Sequence, residues 1–274
     1  MDAGTAVSLL VALLALLGIG VAYEWRARAG GESARPRGVQ RLLFHAGLVV
    51  LALALASPLR VVADFELFTV HAVQHLLLTL AAPPLLIAGV PGGMVRPLVD
   101  RGIAGRAFRA LTPATRAFLV FNVLLAGLHL PPIYAAGIAS PLLRSLMYVA
   151  MVGASVLVWW PLLSPLPELP RLSYPLQMLY CFALSIPMSI VSVYIVAAGS
   201  PMYPYGDAAA RWGTTALEDQ RLGGLIMWVP SGLFFYVVLS IVFWKWQSHG
   251  GGNDTAEAAQ VPARVPPPPP LPQP

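Results

Sequence analysis

The sequence predicts an all-α polytopic membrane protein, a bundle of seven transmembrane helices with its N-terminus outside and its C-terminus in the cytoplasm. Three observations predict it. Hydrophobic residues make up 57% of the 274-residue chain and charged residues only 11%, against roughly 25% charged in an average soluble domain. The apolar residues form continuous runs near the ~20 residues a helix needs to cross the hydrocarbon layer, not the alternating pattern of a barrel. Basic residues collect in alternate connectors, as orientation by the positive-inside rule requires. The same composition argues against disorder and against a soluble enzyme. The net charge of +5 is then a cytoplasmic-loop bias and no sign of nucleic acid.

The first span covers about residues 5–25. Its leader, MDAGTA, holds no Lys or Arg, and the positive charges follow the apolar run. It therefore reads as a retained helix with an outer N-terminus and not as a signal peptide. The second span, about 40–58, follows a connector carrying Arg26, Arg28, Arg35, Arg37 and Arg41. The third, about 67–90, opens after Asp64 and Glu66, read as solvated interface charges, and should break at Pro83 and Pro84. The fourth, about 114–134, follows Arg96, Arg101, Arg106 and Arg109 and begins with Arg116. The fifth and sixth run about 143–163 and 173–197, the latter with an expected kink at Pro187. The seventh covers about 222–244. In this orientation 13 of the 17 basic residues face the cytoplasm, and four, Arg60, Arg144, Arg211 and Arg221, lie outside. Residues 1–246 form the transmembrane domain. Residues 247–274, ending PPPPPLPQP, form a Pro-rich cytoplasmic tail with nothing to bury, expected to be disordered.

Ionisable groups inside a bilayer are costly and mark functional sites by default. His71 and His75, in HAVQHLLL, are one helical turn apart on one face of span 3 and can reach a common metal ion or haem edge. They lie roughly 6 and 12 Å below the outer start of the span. Span 4 runs the other way, and His129 lies about 7 Å below its outer end. Three histidines from two helices thus share one outer layer. Asp219 and Gln220 open span 7 in that layer, and Met147 and Met151 form an i, i+4 pair in span 5. Imidazole binds copper in both oxidation states and thioether favours Cu(I), so this layer suits copper. Asp219 also suits a helix N-cap, and the two methionines also suit packing. His45 lies near the inner end and reads as structural. The single cysteine, Cys181, excludes an internal disulfide and any multi-cysteine metal site, and reads as a core residue.

There is no Walker A motif, no GxSxG and no HExxH, so the chain reads as a non-enzyme. Span 7 has no interior lysine for a retinal Schiff base; Lys245 is at its inner end. The string HAVQHLLLTLAAPPLLIAGVP resembles the signature of the CtaG-type cytochrome c oxidase assembly factors. FHAGLVVLALALASPL, GLHLPPIY and DQRLGGLIMWVP resemble further pieces of that family in the same order, over residues 40 to 235. The resemblance implies a seven-helix protein of the bacterial plasma membrane, surrounded by lipid, that helps build the copper centre of the oxidase catalytic subunit. It implies copper as the bound ion, the oxidase subunit or its assembly intermediates as a partner, and a copper donor protein as another. It makes His71, His75 and His129 the copper-binding candidates, with Asp219 and Gln220 as motif residues. Members of the family often carry a His or Glu-His pair early in span 5. Here that stretch reads SPLLRSLMYVAMVG, so either Met147 and Met151 serve as soft ligands or the site is weakened. Two other functions fit the histidines: a transmembrane haem protein with bis-histidine ligation by His75 and His129, and a copper permease.

Overall fold

The computed structural model describes residues 3–248 and 250, and every regular element among them is helical. Helices α1 (Ala3–Ala29) and α2 (Gly38–Leu55) are the first two spans. Next comes a short helix that the sequence reading took for a connector, α3 (Pro58–Phe65). Its start is well specified. Ser57 caps it by accepting the Leu59 amide at 3.2 Å, and Pro58 presets the first helical φ. Its inner face buries Arg60, Ala63 and Asp64.

The third span is α4 (Phe68–Leu76), a π turn at Leu77–Ala81 and α5 (Ala82–Gly89). Pro83 and Pro84 stand in the first turn of α5 and have no N–H to give to the carbonyls one turn earlier. The wider π turn absorbs this loss, and the Trp159 indole N–H donates to the Thr79 carbonyl at 2.8 Å. The expected break is therefore a bulge within a continuous span, placed directly after His75.

Two short helices follow, α6 (Gly92–Val99) and α7 (Gly102–Leu111), the second turned 97° from α8 (Ala114–Leu128). The fourth span thus ends six residues earlier than the expected residue 134. At 1.5 Å per residue α8 is only about 22 Å long, short of the ~30 Å hydrocarbon layer. Pro131 and Pro132 restart the chain as α9 (Pro131–Ala139). The remaining spans are α10 (Pro141–Leu163), α11 (Tyr174–Val196) and α12 (Ala216–Ser248). Helix α11 runs unbroken through Pro187 and α12 through Pro230. Among the described residues six helices are long and apolar enough to cross a membrane, or seven with the bent α7–α8 pair counted as one span. The expected tail lies outside the described residues from 251 onward.

The core is built where α4, α8, α10, α11 and α12 meet, around Phe68, Phe121, Leu125, Trp159, Leu184 and Met227. Helix α12 packs on both α11 and α4, and the paired glycines of its motif allow this. A Cβ at Gly223 would stand 2.5 Å from the Phe68 ring of α4, and one at Gly224 would stand 2.7 Å from Val196 of α11. Helix α1 leaves Val7, Leu10, Val11, Leu14 and Leu17 exposed. An apolar outer surface on helices of this length makes the chain a multi-pass membrane protein.

Candidate functional site

Helix α4 carries His71 and His75 on the face turned into the bundle. Its start is held by Asp219 of α12, whose carboxylate oxygens accept the Phe68 amide at 2.6 Å and the Thr69 amide at 3.1 Å. His129 is the C-cap of α8 and is not inside that helix; its backbone turns out of the helix toward the two prolines. Its carbonyl accepts the Tyr203 hydroxyl at 2.9 Å. The three imidazoles converge. Ring centroids are 5.1 Å apart for His75 and His129, 5.8 Å for His71 and His129, and 6.3 Å for His71 and His75. The level shared by antiparallel spans thus becomes direct proximity.

The three rings line one cavity of about 30 Å³ together with Met147, Met151, Arg144 and Tyr148. A water or ion site needs roughly 10–15 Å³ on this scale, so the space takes one or two such occupants and no haem macrocycle. The Nε2 atoms of His71, His75 and His129 are all buried and without a hydrogen-bond partner. Ring nitrogens left unpartnered on one small cavity are what a bound cation would satisfy, wherever they carry a lone pair. Among the described residues no group of three or more His, Cys, Asp and Glu is placed so that it could hold a metal ion as it stands. Imidazoles sharing one tetrahedral ion, at metal–nitrogen bonds of about 2.0–2.1 Å, have centroids roughly 5 Å apart. The His75–His129 pair already has that spacing, and both longer separations involve His71.

The hydrogen bonds explain why His71 stands off. The His129 Nδ1–H donates to the Leu125 carbonyl at 2.7 Å, which leaves the lone pair on Nε2, toward the cavity. His71 is the reverse case. Arg144 Nη2 lies 3.2 Å from His71 Nδ1 and can only donate, so a neutral His71 carries its proton on Nε2. Ligation by all three rings therefore requires Arg144 to let go of His71.

Arg144 belongs to a buried ionic network that the sequence reading did not assemble. Asp64 accepts Arg144 Nε at 2.8 Å and Arg60 Nε at 3.4 Å, and the Tyr148 hydroxyl donates to it at 2.5 Å. Arg144 also donates to the Tyr134 hydroxyl at 3.2 Å; Tyr134 and Tyr205 hydroxyls are 2.5 Å apart, and Tyr205 donates to the Ala63 carbonyl at 2.6 Å. Burial pushes the Tyr205 phenol well above its ordinary range, so it stays a donor. Asp64, expected in solvent, is 4% exposed. Glu66, two residues on, does face outward. Hydrogen bonds from Arg211 and Trp212 hold its carboxyl below the usual carboxylate range. The available signals were an arginine inside the apolar opening of span 5 and the i, i+4 pairing of Arg60 with Asp64.

The other candidates fall elsewhere. Both Asp219 oxygens are engaged by α4 amides, away from the cavity. Gln220 accepts the Met202 amide at 2.7 Å and donates to the Ile195 carbonyl at 3.2 Å. These motif residues bind α12 to its neighbours. His45 lies on Glu24 at 3.6 Å and on the Arg41 carbonyl at 3.0 Å, nearly half exposed. Cys181 is buried core, as expected. A ring stack of Phe68 on Tyr203, centroids 4.5 Å apart, closes the site toward the connector before α12.

A family model described as cytochrome c oxidase caa3 assembly factor matches residues 16–249. No curated protein matches the chain, and no solved structure does.

Proposed function

Since the chain belongs to the cytochrome c oxidase caa3 assembly factor family, we propose that it assists oxidase assembly by carrying copper on His71, His75 and His129. The observation that carries this reading is the set of three buried, unpartnered Nε2 atoms on one cavity of about 30 Å³. Met147 and Met151 line the same cavity and supply soft sulfur where the family often has histidine, which favours Cu(I). Asp219 is not among the ligands, because its carboxylate is occupied by backbone amides. The protein sits in the bacterial plasma membrane with its N-terminus outside, which puts the histidine end of the bundle at the outer face. There a copper donor protein loads it, and the oxidase catalytic subunit receives the ion. The transfer exchanges ligands and makes or breaks no covalent bond, so no catalytic group is required. The His75–His129 pair binds first, and His71 joins when it gives up the hydrogen bond from Arg144, whose guanidinium stays on Asp64.

The test is copper per protein in the purified full-length chain, with oxidase copper and haem measured in the same strains. His75→Ala and His129→Ala should each lower bound copper to about half or less, as loss of one ligand from a two- or three-ligand site implies. His71→Ala should lower it too, and the oxidase should then contain haem but lack copper. His45→Ala should keep wild-type copper. Wild-type copper in all three cavity variants, with loss in His45→Ala, would refute the site.

A further inference from the structure

Arg144 is an odd neighbour for a cation carrier. It is buried, lines the cavity with the three histidines and donates to His71 at 3.2 Å. Its carboxylate partner, Asp64, is shared with Arg60, so two guanidiniums stand on one carboxylate. No Asp or Glu lines the cavity among the described residues. Asp219 is turned to the α4 amides, and Glu66 faces outward to Arg211. Tyr134 and Tyr148, the other polar groups on the cavity wall, are neutral phenols that surround the Arg144 guanidinium at 4.7 and 5.0 Å. A fixed positive charge therefore borders an ion-sized space with no negative charge facing it.

We propose that Arg144 selects the ion by charge: the cavity admits a monovalent soft cation and turns divalent ions away. The proposal rests on the copper reading and adds to it which charge state enters and which residue decides. Repulsion from a fixed charge scales with the charge of the ion. At about 6 Å and an effective dielectric near 20, it amounts to roughly a hundredfold in affinity for each unit of charge. Cu(I) meets that penalty once, and Zn(II) or Cu(II) meets it twice. The methionine sulfurs select for softness, and Arg144 selects for charge. The same repulsion leaves Cu(I) held less tightly than three imidazoles alone would hold it, which suits an ion that must be released.

The experiment measures dissociation constants of Cu(I) and of Zn(II) for the full-length protein in detergent micelles, by competition with chelators. Wild type should bind Cu(I) far more tightly than Zn(II). Arg144→Gln leaves Asp64 paired with Arg60, so no carboxylate is orphaned. It should strengthen Zn(II) binding by roughly a hundredfold more than Cu(I) binding. Arg144→Lys keeps the charge and should keep the wild-type ratio, which a purely structural role would not produce. If Arg144→Gln fails to accumulate, Arg60→Gln/Asp64→Asn/Arg144→Gln removes the whole trio, leaves none of its members as an unpaired buried charge and should shift the ratio in the same direction. An unchanged Zn(II)-to-Cu(I) ratio in these charge-removing variants overturns the role of Arg144 and leaves the copper reading standing. A wild type that binds Zn(II) as tightly as Cu(I) overturns it too. A wild type that binds no Cu(I) overturns the copper reading itself, and this proposal with it.

Discussion

At the scale of single residues the decisive pair is Asp64 and Arg144. A buried carboxylate between two guanidiniums is tolerable because its charge is paired twice and both guanidiniums share it. Asp64→Ala removes the carboxylate and leaves Arg60 and Arg144 facing each other in a dry interior. It should destabilise the protein by about 3–5 kcal/mol, read as a lowered midpoint of denaturation in micelles. Asp64→Asn/Arg144→Gln should cost less than Asp64→Ala, because it removes both partners of one pair. Equal stability of Asp64→Ala and wild type would mean that the network carries no weight. His71 and His75 were legible because a spacing of four on a helix is a spatial statement in itself. His129 was legible from depth alone. Asp64 was hard to tell from Glu66, since Arg60 four residues before it is the one local signal that sets it apart and a surface pair has the same spacing. The difference lies in α3, whose buried face takes Asp64 inward and lets Glu66 turn out toward Arg211.

At the scale of elements, the site depends on α4 being held at both ends. Asp219 fixes its first turn, and the π turn with the Trp159–Thr79 bond ends it just past His75. Helix α12 reaches α4 only because Gly223 presents no Cβ to Phe68. Gly223→Ala must push the Phe68 ring or the helix away, an overpacking cost of about 1–3 kcal/mol. Phe68 is stacked on Tyr203 above the histidines. The variant should therefore lose bound copper as well as thermal stability, and a Gly223→Ala protein with both unchanged would rule out that coupling. The DQ and GG of the span 7 motif thus serve packing, although their position in a polar layer made Asp219 look like a ligand. Sequence also placed the end of the fourth span six residues too late. Hydropathy runs on smoothly through HLPPIY, whereas the helix stops at His129 because Pro131 and Pro132 cannot continue it.

At the scale of the whole molecule the orientation remains an expectation, and the structure sharpens its arithmetic. Of the four basic residues counted outside, Arg60 and Arg144 are buried in the ionic network. Charges buried in protein do not act as loop charges, so Arg211 and Arg221 alone oppose the 13 on the other side. A reporter fused after Trp246 should be active only in the cytoplasm, and activity on the outer side would reverse the bundle and bring the histidines to the inner face. Helix α1 is the most peripheral span, packed on α2 and more lightly on α10, with its apolar outer surface open to lipid.

The sequence by itself determined that the chain is a helical membrane protein, roughly where its spans lie, its family, and which histidines could meet. The family follows from the resemblance of four motif strings, and the rest from local rules: hydrophobic length, charge in short connectors, and the repeat of the helix. Only the tertiary structure decided that Met147 and Met151 join the histidines and that Asp219 does not. It alone also placed Arg144 on His71. Those outcomes depend on how α3, α10 and α12 rotate about their own axes when they pack. A helix of mean apolar character offers several faces of similar hydrophobicity, so its sequence leaves that rotation open. Buried hydrogen bonds and the absence of a Cβ at one glycine settle it.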